Sequence, residues 1–305
     1  MHSPAEGPLR ALLQGAIDYA GLFPPARLDM RSAAAEYAAQ HTGPDRWALG
    51  RFVVPAARLA ELAEAMPDAP LAGSWQLSAI SGPDLAADLS AITRFNEQQA
   101  DRARVSAIEL RAVPGGATSA RAIGPALETI RDRIGAGIET YAELPIAQDP
   151  APLIAELARS GGRAKVRTGG VTPDAFPAPD HLLRFIARAV AARVPFKATA
   201  GLHHALRGCY PLTYEPGSAR APMYGYLNLT LTAAGLSHGM DESAARRLLE
   251  ESSAAAFRFE DGGVGWGDAW LTAADLAEAR RDVVLGFGSC SFREPMDELR
   301  ALTPG

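Results

Sequence analysis

Lysine is nearly missing from this chain of 305 residues. Lys165 and Lys197 are the only two, and the other 28 of its 30 basic residues are arginine. Cations are thus generally written as Arg. A Lys kept twice, both times inside a strand-like segment, marks positions that need an amine. An amine can lose its proton and attack a carbonyl, which a guanidinium cannot do. Cysteine is as scarce: Cys209 and Cys290 make no disulfide framework. No apolar run reaches the length of a membrane span, and residues 1–10 lack the basic and apolar regions of a signal peptide. The net charge of −5 comes from interspersed signs, so neither nucleic acid nor an anionic membrane is an expected partner. There is no GxGxxG after the first strand candidate and no GxxxxGKS/T anywhere. A soluble, cytoplasmic protein is the expectation that these absences leave.

What the chain does have is a regular alternation. Its composition, 48% hydrophobic and 21% charged, suffices for a large core. Strand-like segments are read at 16–20, 51–54, 75–80, 105–112, 138–144, 164–168, 194–199 and 256–260. Helix-like segments follow them at 28–40, 56–66, 85–100, 119–134, 152–159 and 181–193, then at 223–236, 241–252 and 272–282. Eight strands with intervening helices predict a parallel sheet closed into a (β/α)8 TIM-type barrel, α/β in class. The doubly wound open sheet is the competing arrangement. The whole of 1–305 is expected to be one domain, with 283–305 a tail outside the repeat.

Residues i and i+2 of a strand share a face. Glu109 pairs in this way with Arg111; Glu139 with Tyr141 and Glu143; Lys165 with Arg167; Lys197 with Thr199. The opposite faces are apolar or small, so in a barrel these polar sets point inward. Buried charges are costly unless paired, and such a cluster near the carboxyl ends of the strands is the expected active site. Gly169 and Gly170 follow Arg167 directly and Gly201 follows Lys197 closely, so their bare backbone N–H groups are candidates to hold an anion. His203 and His204 fall at the barrel mouth. One of them is a candidate acid or base; together with Glu109 or Glu139 they are the alternative, metal-ligating reading. Tyr210, Tyr214, Tyr224, Tyr226 and Asn228 gather in or after the long 201–222 connection and read as a lid or a subunit contact. Cys290 has no base partner visible in the sequence. Glu294 reaches the mouth only if the tail folds over it.

The two lysine segments resemble deoxyribose-phosphate aldolase, a class I aldolase family on a (β/α)8 barrel. Lys165-Val166-Arg167-Thr168-Gly169 is similar to the family's Lys-x-x-Thr-Gly pattern on its sixth strand. Lys197-Ala198-Thr199-Ala200-Gly201 is similar to its Lys-Ala-x-x-Gly pattern on the seventh. The resemblance covers only about forty residues, while Arg167 and the His pair are additions to the pattern. It implies Lys165 as a Schiff-base nucleophile, Lys197 as the neighbour that depresses its pKa, and the Gly-rich turns as holders of a substrate phosphate.

The functional expectation is therefore a carbon–carbon lyase or isomerase acting through a Lys165 imine on a small anionic, oxygenated metabolite, without cofactor or metal. Its catalytic set is Lys165, Lys197, Glu109, Glu139, Glu143, His203 and His204. Its substrate-binding set is Arg111, Arg167, Gly169, Gly170, Thr199, Gly201 and Tyr141. A homo-oligomer is compatible with the sequence. The alternatives are a metal-dependent lyase or hydrolase using the Glu/His set and a non-catalytic ligand-binding barrel.

Overall fold

Strands from the two ends of the chain pair to close the sheet. The computed structural model describes residues 6–67, 73–111 and 120–303. Its first seven barrel strands are β1 (Ile17–Tyr19), β2 (Leu49–Pro55), β3 (Trp75–Ile80), β4 (Ala103–Leu110), β5 (Glu139–Glu143), β6 (Arg163–Arg167) and β7 (Phe196–Thr199). The eighth strand, Val284–Ser289, lies parallel between β7 and β1 and completes the (β/α)8 barrel. Two small antiparallel sheets are added outside the cylinder.

This corrects two expectations. Segment 256–260 is not the eighth barrel strand, and 283–305 is not a tail outside the repeat. Phe257–Glu260 does form a strand, but it pairs antiparallel with Gly263–Trp266, which pairs in turn with Ala269–Thr272. Alternating Phe257, Arg258, Phe259 and Glu260 mark an extended segment without saying which sheet it joins. Val284–Ser289 carries two glycines, which dilute a strand pattern. Gly286 is required there: its φ is +144°, and a Cβ would stand 2.5 Å from the carbonyl oxygen of Ala16. That carbonyl accepts the Phe287 N–H at 2.8 Å, so the close approach is part of how the barrel shuts. Arg293–Leu302 then supplies the last helix. The fourth strand ends at Leu110; residue 112, the expected end, lies outside the described residues, as does residue 119 of the following helix.

Helices bury one stripe against the barrel. Pro179–Ala191 turns Leu182, Leu183, Phe185, Ile186 and Ala189 inward, and the Phe185 ring meets Phe196 of β7 edge-on at 5.2 Å. Each such large side chain contributes roughly 1.5–3 kcal/mol on burial. Tyr226, at the start of the helix Tyr226–Ser237, stacks on Phe287 of the eighth strand at 4.8 Å. Helix Ala273–Asp282 opens with a capping box between Thr272 and Asp275. The 201–222 connection contains a strand of its own, Gly208–Pro211, which pairs antiparallel with Arg220–Met223.

Strand register then places the polar residues. Glu109 is level with Tyr141, Glu143 with Lys165, Lys165 with Lys197, and Asp18 and Thr199 both with Gly288.

Replacing Gly286 by Ala should therefore destabilise the protein by roughly 3 kcal/mol, with a matching fall in the urea midpoint. An unchanged midpoint would mean that the contact with Ala16 can relax.

Candidate active site

One carboxylate organises the lumen. Glu109 is 1% exposed. Its Oε1 accepts from Lys197 Nζ at 2.5 Å and from Ser78 Oγ at 2.7 Å, while Oε2 lies 2.8 Å from Lys165 Nζ. Lys165 also contacts Glu143 Oε2 at 2.9 Å, and Lys197 contacts Asp18 Oδ2 at 2.5 Å. The Lys197 ammonium sits 5.2 Å from the centre of the Tyr141 ring. Burial by itself would push the Glu109 carboxyl up and the Lys197 amine down. The two ammonium groups beside Glu109 outweigh its burial and hold it well below the usual carboxylate range. The carboxylates of Asp18 and Glu109 likewise hold Lys197 well above the usual lysine value.

The two lysines differ in access. A cavity of about 180 Å³ opens at the carboxyl end of the barrel, and Lys165, Glu109, Arg167, Thr199 and His203 are among its lining residues. Phe23, Pro24, Val53 and Ile80 give it an apolar wall. Lys197 does not line it; it is 1% exposed and closed in beneath. A carboxylate, Glu109, therefore lies between the two amines, and the sequence-based picture of a bare like-charge pair is incomplete. Arg167 is exposed at the rim and makes no ion pair among the described residues.

The turns after β6 and β7 are braced together. Thr168 Oγ1 donates to the Ala200 carbonyl at 2.6 Å. Gly201 has φ +76°, and a Cβ there would stand 3.2 Å from Gly169 Cα and 2.9 Å from the Phe176 ring. A Cβ at Gly169 would come within 2.4 Å of the same ring. Close packing accounts for these two glycines. Gly170 and Gly201 line the cavity, whereas Gly169 does not.

His203 Nδ1 lies 3.1 Å from Ser289 Oγ and 3.7 Å from Cys290 Sγ. Burial, reinforced by the His204 imidazole, pushes its pKa down to about 4. It is therefore neutral at pH 7, and its 3.9 Å approach to Glu294 is not an ion pair. Burial pushes the Cys290 thiol up to about 11. His204 turns away: its Nδ1 meets Glu298 Oε1 at 2.6 Å and its ring stacks on Tyr210. Tyr214 donates to Glu294 at 2.9 Å, so the last helix does close over the mouth. His203, His204, Tyr214 and Glu294 line a second recess, of about 250 Å³, that shares Pro25, Gly170, Gly201 and His203 with the first cavity.

Several expected residues stand elsewhere. Glu139, at the start of β5, opens toward the amino end of the barrel, where it meets Arg51 at 3.0 Å and accepts from the Tyr141 hydroxyl at 2.7 Å. Tyr141 is 1% exposed below the Lys165 cavity and does not line it. Arg111 lies past the end of β4, exposed and off the cavity wall. The four ligands of the metal reading do not converge. Glu109 is engaged by both lysines, Glu139 faces the other end, and His204 points away from His203 with its ring at 80° to it. Among the described residues no group of three His, Cys, Asp or Glu side chains could hold a metal ion. Sequence reasoning missed Asp18, Ser78, Ser289 and the Cys290–His203 contact. Asp18 is a carboxylate inside the first strand candidate, 16–20. The Cys290 contact has no signal in the sequence, because it depends on the eighth strand, Val284–Ser289, placing the next residue at the barrel mouth.

No protein-family model matches this chain. No curated protein matches it either. Among solved structures it is similar to a lysine/ornithine decarboxylase complexed with cadaverine, from Vibrio vulnificus, with 8% identity and a TM-score of 0.40. The match covers 86% of this chain and 66% of that one, so the chain spans just under two thirds of that structure's length. No described helix is long and apolar enough to cross a membrane.

Glu109→Gln should cost about 3–5 kcal/mol at pH 7, because it strips a carboxylate from two buried ammonium groups. The sign of the pH dependence follows from a depressed folded-state pKa. The stabilisation is complete above the unfolded carboxyl value and is lost as pH falls toward the folded one. Urea melts of the two proteins should therefore draw together on acidification below about pH 4.5; a gap independent of pH would contradict the assignment. Iodoacetamide at pH 7.5 should label exposed Cys209 well before Cys290, as read by peptide mass; prompt labelling of Cys290 would mean that the thiol is not held neutral and covered.

Proposed function

We propose that the chain is a carbon–carbon lyase or isomerase that works through a Schiff base on Lys165, as the class I aldolase resemblance of its two lysine segments implies. One observation carries this reading. Of the two lysines, Lys165 alone lines the cavity, and its amine touches two carboxylates, Glu109 and Glu143, that can take up its proton. Loss of that proton leaves a lone pair that attacks a substrate carbonyl carbon. The carbonyl oxygen departs as water after two protons are delivered, and an iminium forms. Cleavage of the bond between the α and β carbons, counted from the iminium carbon, turns its electron pair into a carbon–carbon double bond and moves the C=N π pair onto nitrogen. The β-hydroxyl gives up its proton, that fragment leaves as a second carbonyl compound, and an enamine remains. Protonation of the enamine and hydrolysis of the imine return the free amine.

In this reading Glu143 and Glu109 carry protons at the Lys165 nitrogen. Lys197 is a positioning residue. Tied to Asp18 and Glu109, it keeps a carboxylate aimed at Lys165 and balances its charge. Arg167, free at the rim, receives the anionic end of the substrate, and Gly170 and Gly201 allow a close backbone approach. His203, neutral at pH 7, is placed to relay a proton to or from the bound carbon skeleton.

The test is reductive trapping. Borohydride with a panel of small aldehydes and keto acids should add the probe's mass at Lys165. Lys165→Arg keeps the cation and should show no adduct, with turnover down on the order of a thousandfold or more once a substrate is found. An adduct on Lys197 would reverse the two roles. An active Lys165→Arg protein, or no adduct with any carbonyl, would end the reading in favour of a binding barrel.

A further inference from the structure

The amino-terminal end of the barrel holds a second, larger cavity that the Lys165 chemistry does not use. Its volume is about 580 Å³, within the range of small-molecule sites. Arg46, Arg51, Arg280 and Arg281 line it, against one lining carboxylate, Glu139. That carboxylate is already claimed by Arg51 at 3.0 Å and by Arg163 at 3.7 Å. Arg281 is paired with Asp282 at 2.7 Å. Arg46 and Arg280 have no carboxylate within ion-pair distance among the described residues.

Arg280 is the informative member. Its Nη2 donates to the Gly15 carbonyl at 2.9 Å, while its Nε is buried with no hydrogen-bond partner. Arg163 Nε and His41 Nδ1, on the same side of the barrel, are likewise buried and unpartnered. Burial pushes the Arg280 guanidinium below its ordinary value, and the nearby Asp18 carboxylate, engaged by Lys197 and the Arg51 N–H, does not restore it. A cation kept in this state is costly unless an anion joins it. Guanidinium forks suit oxyanions, because two parallel N–H donors meet two oxygens. Tyr37, Leu49 and Leu285 add apolar wall beside this charge.

We propose that this cavity is a binding site for a small, multiply charged oxyanion, held by Arg46, Arg51 and Arg280. The shared chemistry is that of phosphate esters and polycarboxylates. The site is separate from the Lys165 cavity, and its proposal does not rest on the Schiff-base reading. Tyr141 stands between the two ends, with its hydroxyl on Glu139 and its ring against Lys197.

Titration calorimetry of the full chain at low salt tests this, with pyrophosphate and citrate as the two probes. Saturable binding is expected for at least one, and which one binds tells phosphate from carboxylate chemistry. Arg46→Ala, at an exposed position, should weaken it roughly tenfold, as should Arg280→Gln. Arg167→Ala, which removes the guanidinium of the opposite cavity, should leave it unchanged. Should Arg280→Gln fail to fold, Arg46→Ala decides. The proposal is overturned if neither probe binds at millimolar concentration, if Arg46→Ala binds as well as the parent, or if Arg167→Ala abolishes binding.

Discussion

Two ammonium groups share one carboxylate in the middle of this barrel. Glu109 reaches Lys197 with one oxygen and Lys165 with the other, and Asp18 and Glu143 complete the set. An isolated charge in such a place would cost many kcal/mol; five that neutralise one another to within a unit are tolerable. Their geometry is demanding, because each partner comes from a different strand. β1, β4, β5, β6 and β7 must all be in register for the cluster to exist. The cluster thus ties chemistry to topology: whatever displaces one strand leaves a buried charge unpaired.

The same arrangement divides the lysines by role. Both are buried, but Lys165 borders open space and Lys197 does not. An amine that must meet a carbonyl needs that space, and an amine that must orient a carboxylate is better without it. Above them, the wall of Phe23, Pro24, Val53 and Ile80 makes the surroundings apolar, which strengthens the polar contacts inside. Below them, Tyr141 separates the cluster from an arginine-rich cavity at the other end. The lumen is thus a stack of charge layers, carboxylate-rich around the amines and arginine-rich toward the amino ends of the strands.

Much of this was legible in the linear chain. The scarcity of lysine singled out Lys165 and Lys197, and period-2 alternation turned Glu109, Glu143, Lys165 and Lys197 toward one another. Alternation could not say how far along the axis each residue lies. Glu139 and Glu143 share a face of β5, yet one looks toward the arginines and the other toward Lys165. His203 and His204 are neighbours in sequence, yet one faces the cavity and the other the last helix. The eighth strand escaped because glycine at 286 and 288 removed its side-chain pattern while allowing the close contact with Ala16.

The sequence by itself determined the architecture in outline and the residue types in the lumen, because strand periodicity and the need to pair buried charges are local or compositional constraints. Tertiary structure decided which lysine is open, which carboxylate stands between the amines, and that Asp18 and Cys290 belong to the same neighbourhood. Those facts depend on strand stagger and on the closure of Val284–Ser289 between β7 and β1. Both are contacts between residues far apart in the chain, and no local pattern encodes them.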